Sequence, residues 1–146
     1  MNENPRILII EDDIDLVESL KKILETKGYI AQSANDPDEG YEKIKKERPD
    51  LIILDVMFGS NGETKGFDFS RKIRYDKHFA GIPIVMLTAV NINNPFYNFS
   101  PETDGEYLPV DCFLDKPFQP VELISKVEEL LNQKTSKWQN WLDKEW

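Results

Sequence analysis

Glu11 and Asp12 follow the apolar run Arg6–Ile10, Asp55 follows Leu51–Leu54, Thr88 follows Ile82–Leu87, and Lys116 closes the stretch that begins at Asp111. Each has an ordinary reading when taken alone. An acidic group before a helix caps it, as Asp13 is expected to do; Asp55 can cap a turn, Thr88 can be a small strand-end residue, and Lys116 before Pro117 can be a solvated corner. Together they point elsewhere. Crowded carboxylates repel, and a hard divalent cation such as Mg²⁺, which takes oxygen ligands and keeps several waters, relieves that repulsion. A phosphoryl oxygen can then occupy one coordination position. An acid pair, a further acid, a hydroxyl and an ammonium are what phosphoryl transfer to a carboxylate needs, because positioning and charge neutralisation supply most of the catalysis.

Such residues act together only if the chain brings its strand ends to one place. The run Arg6–Ile10 reads as a buried strand, followed by Ile14, Val17, Leu20, Ile23 and Leu24 at helical spacing until Gly28. Tyr29–Ser33 suits a second strand. Asp36, Pro37 and Glu39 supply an N-cap, a proline at the first helical position and a capping-box acid for a helix ending near Pro49. Leu51–Leu54 is the third strand, and Gly66–Tyr75, carrying Phe67, Phe69 and Ile73, is a short helix. Ile82–Leu87 is the fourth strand and Asp111–Leu114 the fifth. Pro120–Asn132 is a helix expected to turn Val121, Ile124, Val127 and Leu131 inward. Alternating apolar strands and helices imply an α/β fold with a parallel sheet covered on both faces. In the flavodoxin-like, doubly wound strand order 2-1-3-4-5, ligands bind at the carboxyl ends of the strands, in the crevice between the first and third. Glu11, Asp12 and Asp55 then converge.

Composition narrows the classes. The 146 residues suit one domain, and 40% hydrophobic with 31% charged content is that of an ordinary globular chain. A formal net charge of -9, from 27 acidic and 18 basic residues, argues against direct nucleic-acid binding, which relies on basic patches. With one cysteine, Cys112, no internal disulfide can form; with one histidine, His78, a zinc site of those ligands is close to excluded. Met1–Pro5 has no basic leader character, and no apolar run approaches the roughly 20 residues that span a bilayer, so a cytoplasmic location without membrane contact is expected.

The segments "ILIIEDD", "DLIILDVMF", "PIVMLTA" and "DCFLDKPF" resemble those of the receiver domain of two-component response regulators, over roughly Arg6 to Leu131. That resemblance implies a stand-alone receiver of the chemotaxis-regulator kind. It makes Asp55 the phosphoacceptor, and gives Mg²⁺ to Asp12, Asp55 and the backbone carbonyl of Met57, with Glu11 assisting through water. Thr88 and Lys116 would contact the phosphoryl oxygens, and Thr88 with the aromatic Phe113 would relay the switch. The Lys116–Pro117 peptide bond is expected to be cis, which proline makes inexpensive. The implied partners are a histidine kinase or phosphotransfer protein upstream and an unidentified protein downstream, with a homodimer as a further option. The chain would be no enzyme beyond its own phosphorylation and dephosphorylation; a phosphatase is disfavoured because Met57 stands where that class has a second acid. The alternative is a non-switching receiver-fold scaffold that binds partners through the segment 91–110 and the C-terminal tail.

Two departures from the family pattern stand out. The loop Met57–Gly66 is long and has Gly59 in place of the common proline. The segment "VNINNPFYNFSPETDGEYLPVD" sits where receivers carry a fourth helix, and Pro95, Pro101, Gly105 and Pro109 break any helical pattern, so that helix is expected to be degraded or replaced by a loop. Residues 1–133 are assigned to the receiver and 134–146 to a tail with Trp138, Trp141 and Trp146, with no separate output domain. The positions two beyond Asp55 and Thr88 are Met57 and Val90, whose apolar character is expected to hinder a hydrolytic water and prolong the phosphorylated state.

Overall fold

The computed structural model describes residues 4–55, 65–89 and 110–132. Among the described residues, five strands and four helices follow in the order β1 (Arg6–Ile10), α1 (Ile14–Glu25), β2 (Ile30–Ala34), α2 (Pro37–Lys46), β3 (Leu51–Asp55), α3 (Lys65–Arg74), β4 (Ile84–Ala89), β5 (Cys112–Lys116) and α4 (Pro120–Asn132). Every strand pair is parallel and the sheet order is β2-β1-β3-β4-β5, the expected doubly wound arrangement. The central strand β3 is buried from end to end, whereas edge strand β2 is only partly covered. That contrast explains why "LIIL" is continuously apolar and "IAQSA" is mixed.

Alternation along each strand feeds two cores. Ile7, Ile9, Leu51, Ile53, Val85, Leu87 and Leu114 meet Leu20 and Leu24 of α1 and Leu123 and Val127 of α4 on one face. Leu8, Ile10, Ile52, Leu54, Ile84 and Met86 meet Ile44 of α2 and Phe69 and Ile73 of α3 on the other. The helices begin as the sequence dictates. Asp13 accepts from the Leu16 amide at 3.2 Å, and Asp36 accepts from the Glu39 amide at 2.8 Å with Pro37 opening α2. Glu39 reaches back to the amide of Asn35 at 3.2 Å, one residue earlier than a standard capping box. Gly28, with φ +84°, ends the turn after α1 in a conformation open to glycine at little cost. Gly40 lets α2 lie close on the sheet, since a Cβ there would stand 2.6 Å from Ile10 Cδ1.

Several boundaries and faces differ from those expected. β4 runs to Ala89 rather than ending at Leu87, and β5 covers Cys112–Lys116 rather than Asp111–Leu114, because each extends the ladder of its neighbour: Thr88 pairs with Asp115 and Ala89 with Lys116. Ile82 precedes the strand, and α2 stops at Lys46, short of Pro49. On α4, Val121 is 73% exposed, and the inward face is instead Leu123, Ile124, Val127 and Leu130, with Leu131 only partly covered. The helix is rotated relative to the simplest reading of its pattern, and its first turn faces outward. Ile14, at the start of α1, is likewise 69% exposed. The region of the expected degraded helix, most of the Met57–Gly66 loop, Val90 and the tryptophan-bearing tail lie outside the described residues.

One buried polar network holds the amino-terminal ends of β4 and β5. Arg74, closing α3, is fully enclosed, and its guanidinium donates to the carbonyls of Ala80 and Ile82 at 2.8 and 2.7 Å and to Asp111 Oδ2 at 2.6 Å. The same Asp111 oxygen accepts from the Ile84 amide at 2.8 Å. Burial presses the Arg74 pKa down to about 10, opposed by the Asp111 carboxylate, so Arg74 stays cationic at neutrality.

Candidate phosphoryl-transfer site

β1 and β3 are neighbours, so the chain leaving β1 and the last residue of β3 meet at the same rim of the sheet. Glu11, Asp12 and Asp55 each place a carboxylate oxygen there, all within 4.8 Å of one another. Glu11 and Asp55 are buried, at 2% and 8% exposure, while Asp12 faces solvent. Lys116, at the end of β5, brings its Nζ to 3.6 Å from Asp55 Oδ1 and 3.7 Å from Glu11 Oε2. Glu11 is fixed by its backbone, whose amide donates to the Ala34 carbonyl at 3.1 Å, and by its Oε1, which accepts from the Asp13 amide at 3.2 Å. Four of the residues singled out in the sequence are thus assembled in space.

The electrostatics of this rim are strained in the direction that suits a cation. Burial is the main cause that pushes the Glu11 carboxyl up to about 8; hydrogen bonding to Asp55 and its charge add to this, and Lys116 and the Asp13 amide act in opposition. Asp55 is close enough to share a proton with Glu11, yet Glu11 Oε2 itself is buried and meets no donor in hydrogen-bonding geometry. A buried oxygen without a donor carries a free-energy cost that a coordinated cation removes. Three clustered carboxylates, one of them solvent-facing, are also the donor set that Mg²⁺ prefers over softer metals. The residues therefore fit such an ion. Met57, expected to add a backbone carbonyl, lies outside the described residues.

Thr88 and Phe113 are placed differently from the acidic rim. Thr88 is 6% exposed and donates its hydroxyl proton to Asp115 Oδ1 at 3.0 Å. Phe113 is half-buried against the core beneath α2 and α3. The Lys116–Pro117 bond is cis. Reading the sequence for strand-end chemistry missed Asp115, although it stands beside Lys116; the parallel register that sets it opposite Thr88 is what makes it matter. It also missed Arg74 and Asp111, for which a charged residue closing the pattern of Phe69 and Ile73 was the available signal.

The chain is similar in sequence and fold to known proteins. Residues 7–128 match the response regulator receiver domain family. The chain is 35% identical over 129 residues to the DNA-binding dual master transcriptional regulator RpaA of Synechocystis, covering 88% of this chain and 50% of that protein. It is 33% identical over 133 residues to the alkaline phosphatase synthesis transcriptional regulatory protein PhoP of Bacillus subtilis, covering 89% and 50% respectively. The chain thus spans about half the length of these curated relatives. Among solved structures, a response regulator from Chloroflexus aurantiacus superposes with a TM-score of 0.77 at 28% identity, covering 90% of this chain and 100% of that one. The chemotaxis protein CheY4 of Vibrio cholerae gives 0.71 at 27% identity, covering 87% and 98%. No described helix is long and apolar enough to cross a membrane. With its strand order, its acidic rim and a family match over most of its length, the chain belongs to the response regulator receiver domains of two-component signalling.

Proposed function

We propose that Asp55 accepts a phosphoryl group from a histidine kinase or phosphotransfer protein, and that the modified domain signals through protein contacts. The observation that carries this reading is the meeting of Glu11, Asp12 and Asp55 with the Lys116 ammonium at one rim of the sheet. An Asp55 carboxylate oxygen attacks phosphorus, the phosphorus–nitrogen bond of a phosphohistidine breaks, and the imidazole leaves with the bonding electrons and takes a proton from solvent. β3 holds Asp55 rigidly at the edge of the core, so little orientation is left to find when the donor arrives. Lys116 offsets negative charge on the phosphoryl oxygens as they approach the carboxylates, and the Thr88 hydroxyl, at the end of β4, would donate to one of them on leaving Asp115. Glu11, Asp12 and Asp55 would hold Mg²⁺, which when bound supplies further charge neutralisation to the transferring group.

Incubation with a small phosphodonor and Mg²⁺ should yield a species heavier by one phosphoryl group in the intact mass. The same species in Asp55→Asn would rule out Asp55 as acceptor.

A further inference from the structure

Thr88 and Asp115 face each other across β4 and β5, and the Thr88 hydroxyl donates to Asp115 Oδ1 at 3.0 Å. Side-chain alternation sets both on the sheet face that carries Met86 and Phe113. Lys116 shares the opposite face with Leu114, and Asp55 shares it with Ile53. A hydroxyl has one proton, and while it is donated to a carboxylate it is not available to a phosphoryl oxygen. Hydrogen bonds to charged acceptors are stronger than those to neutral ones, so Asp115 is a competitor of the right kind for that proton. Thr88 is buried, whereas Asp115 is exposed, so water can solvate the carboxylate once the hydroxyl leaves it. The hold is therefore firm at the threonine and reversible at the aspartate.

We infer that Asp115 is a positioning residue that keeps the Thr88 hydroxyl turned away from Asp55 and so sets how tightly the domain takes up a phosphoryl group. This rests on the phosphoacceptor reading and adds to it a residue outside the acid, hydroxyl and ammonium set. Asp115 touches no reacting atom; it acts through Thr88 alone.

The test is a double-substitution cycle. Affinity for beryllium fluoride in Mg²⁺ is measured by calorimetric titration for the unaltered protein, Asp115→Ala, Thr88→Ala and the double variant. Asp115→Ala should bind about tenfold more tightly, the scale of releasing one hydrogen bond to a charged group. In the Thr88→Ala background the same change should alter affinity by less than about twofold, since no hydroxyl remains to be released. Asp115→Asn, which keeps an acceptor oxygen without the charge, should fall between the unaltered protein and Asp115→Ala, and offers a second route should alanine disturb folding. Equal tightening in both backgrounds would mean that the carboxylate acts by charge alone and would overturn the inference, as would no tightening in either. Those results leave the phosphoacceptor reading standing if the unaltered protein binds the fluoride. Absence of binding in every variant, with no phosphoryl uptake from a small donor, would remove both.

Discussion

Replacing Asp111 with alanine should be the most damaging single change to stability outside the hydrophobic cores. The Asp111 side chain is 1% exposed and is the anionic partner of an Arg74 side chain that is 2% exposed. Truncating it leaves a buried cation without its counter-charge and the Ile84 amide without an acceptor. Removing one member of such a pair costs about 3–5 kcal/mol, because the remaining charge keeps its desolvation penalty. For a chain of this size that is a fall in Tm on the order of 10 °C. Arg6 and Glu47 provide the internal contrast, for their ion pair at 2.8 Å is exposed at both ends, 36% and 49%. Glu47→Ala should change stability by about 0.5 kcal/mol or less. Urea unfolding followed by far-ultraviolet circular dichroism measures both. The double change Arg74→Met with Asp111→Leu should recover a large part of the loss, since a buried pair exchanged for apolar side chains is close to neutral. A cost below about 1 kcal/mol for Asp111→Ala would show that the guanidinium is not held by this carboxylate. The network lies at the amino-terminal ends of β4 and β5, so phosphoryl uptake by the folded variant should be retained.

Other outcomes follow from the rim. Lys116→Ala should slow phosphoryl uptake at Asp55 by about 10²–10³-fold, as the loss of a preorganised charge does elsewhere, and a rate within about threefold of the unaltered protein would deny the lysine its role. In chelator, stability should fall as pH rises between about 4.5 and 8: the folded protein keeps the Glu11 proton that the unfolded chain has lost, a contribution fully present below 4.5 and gone once pH passes 8. The slope from this group is at most about 1.4 kcal/mol per pH unit. Glu11→Gln should remove it, and matching slopes in the two proteins would contradict the assignment. Gly28→Ala should cost about 1 kcal/mol in thermal unfolding, from φ +84° alone, since a Cβ there meets nothing within 4 Å. A stabilised variant would refute that account.

What the sequence determined by itself was whatever depends on neighbours along the chain. Hydrophobic periodicity separated strands from helices, and the caps at Asp13 and Asp36 follow from side chains reaching amides three residues away. The acidic rim was also readable, because in a parallel sheet every strand ends on the same side, and Glu11, Asp12, Asp55, Thr88 and Lys116 all stand at or beside those ends. Which face of α4 turns inward was not, since Val121 and Leu123 are equally apolar and only the packing beside α1 chooses between them. Tertiary structure alone decided the pairings that cross long separations: Arg74 with Asp111, Lys116 with Glu11 and Asp55, and Thr88 with Asp115. Their partners lie 27 to 105 residues apart. Strand register and burial, neither of which leaves a periodic mark in the sequence, brought them within reach and fixed the charge each one feels.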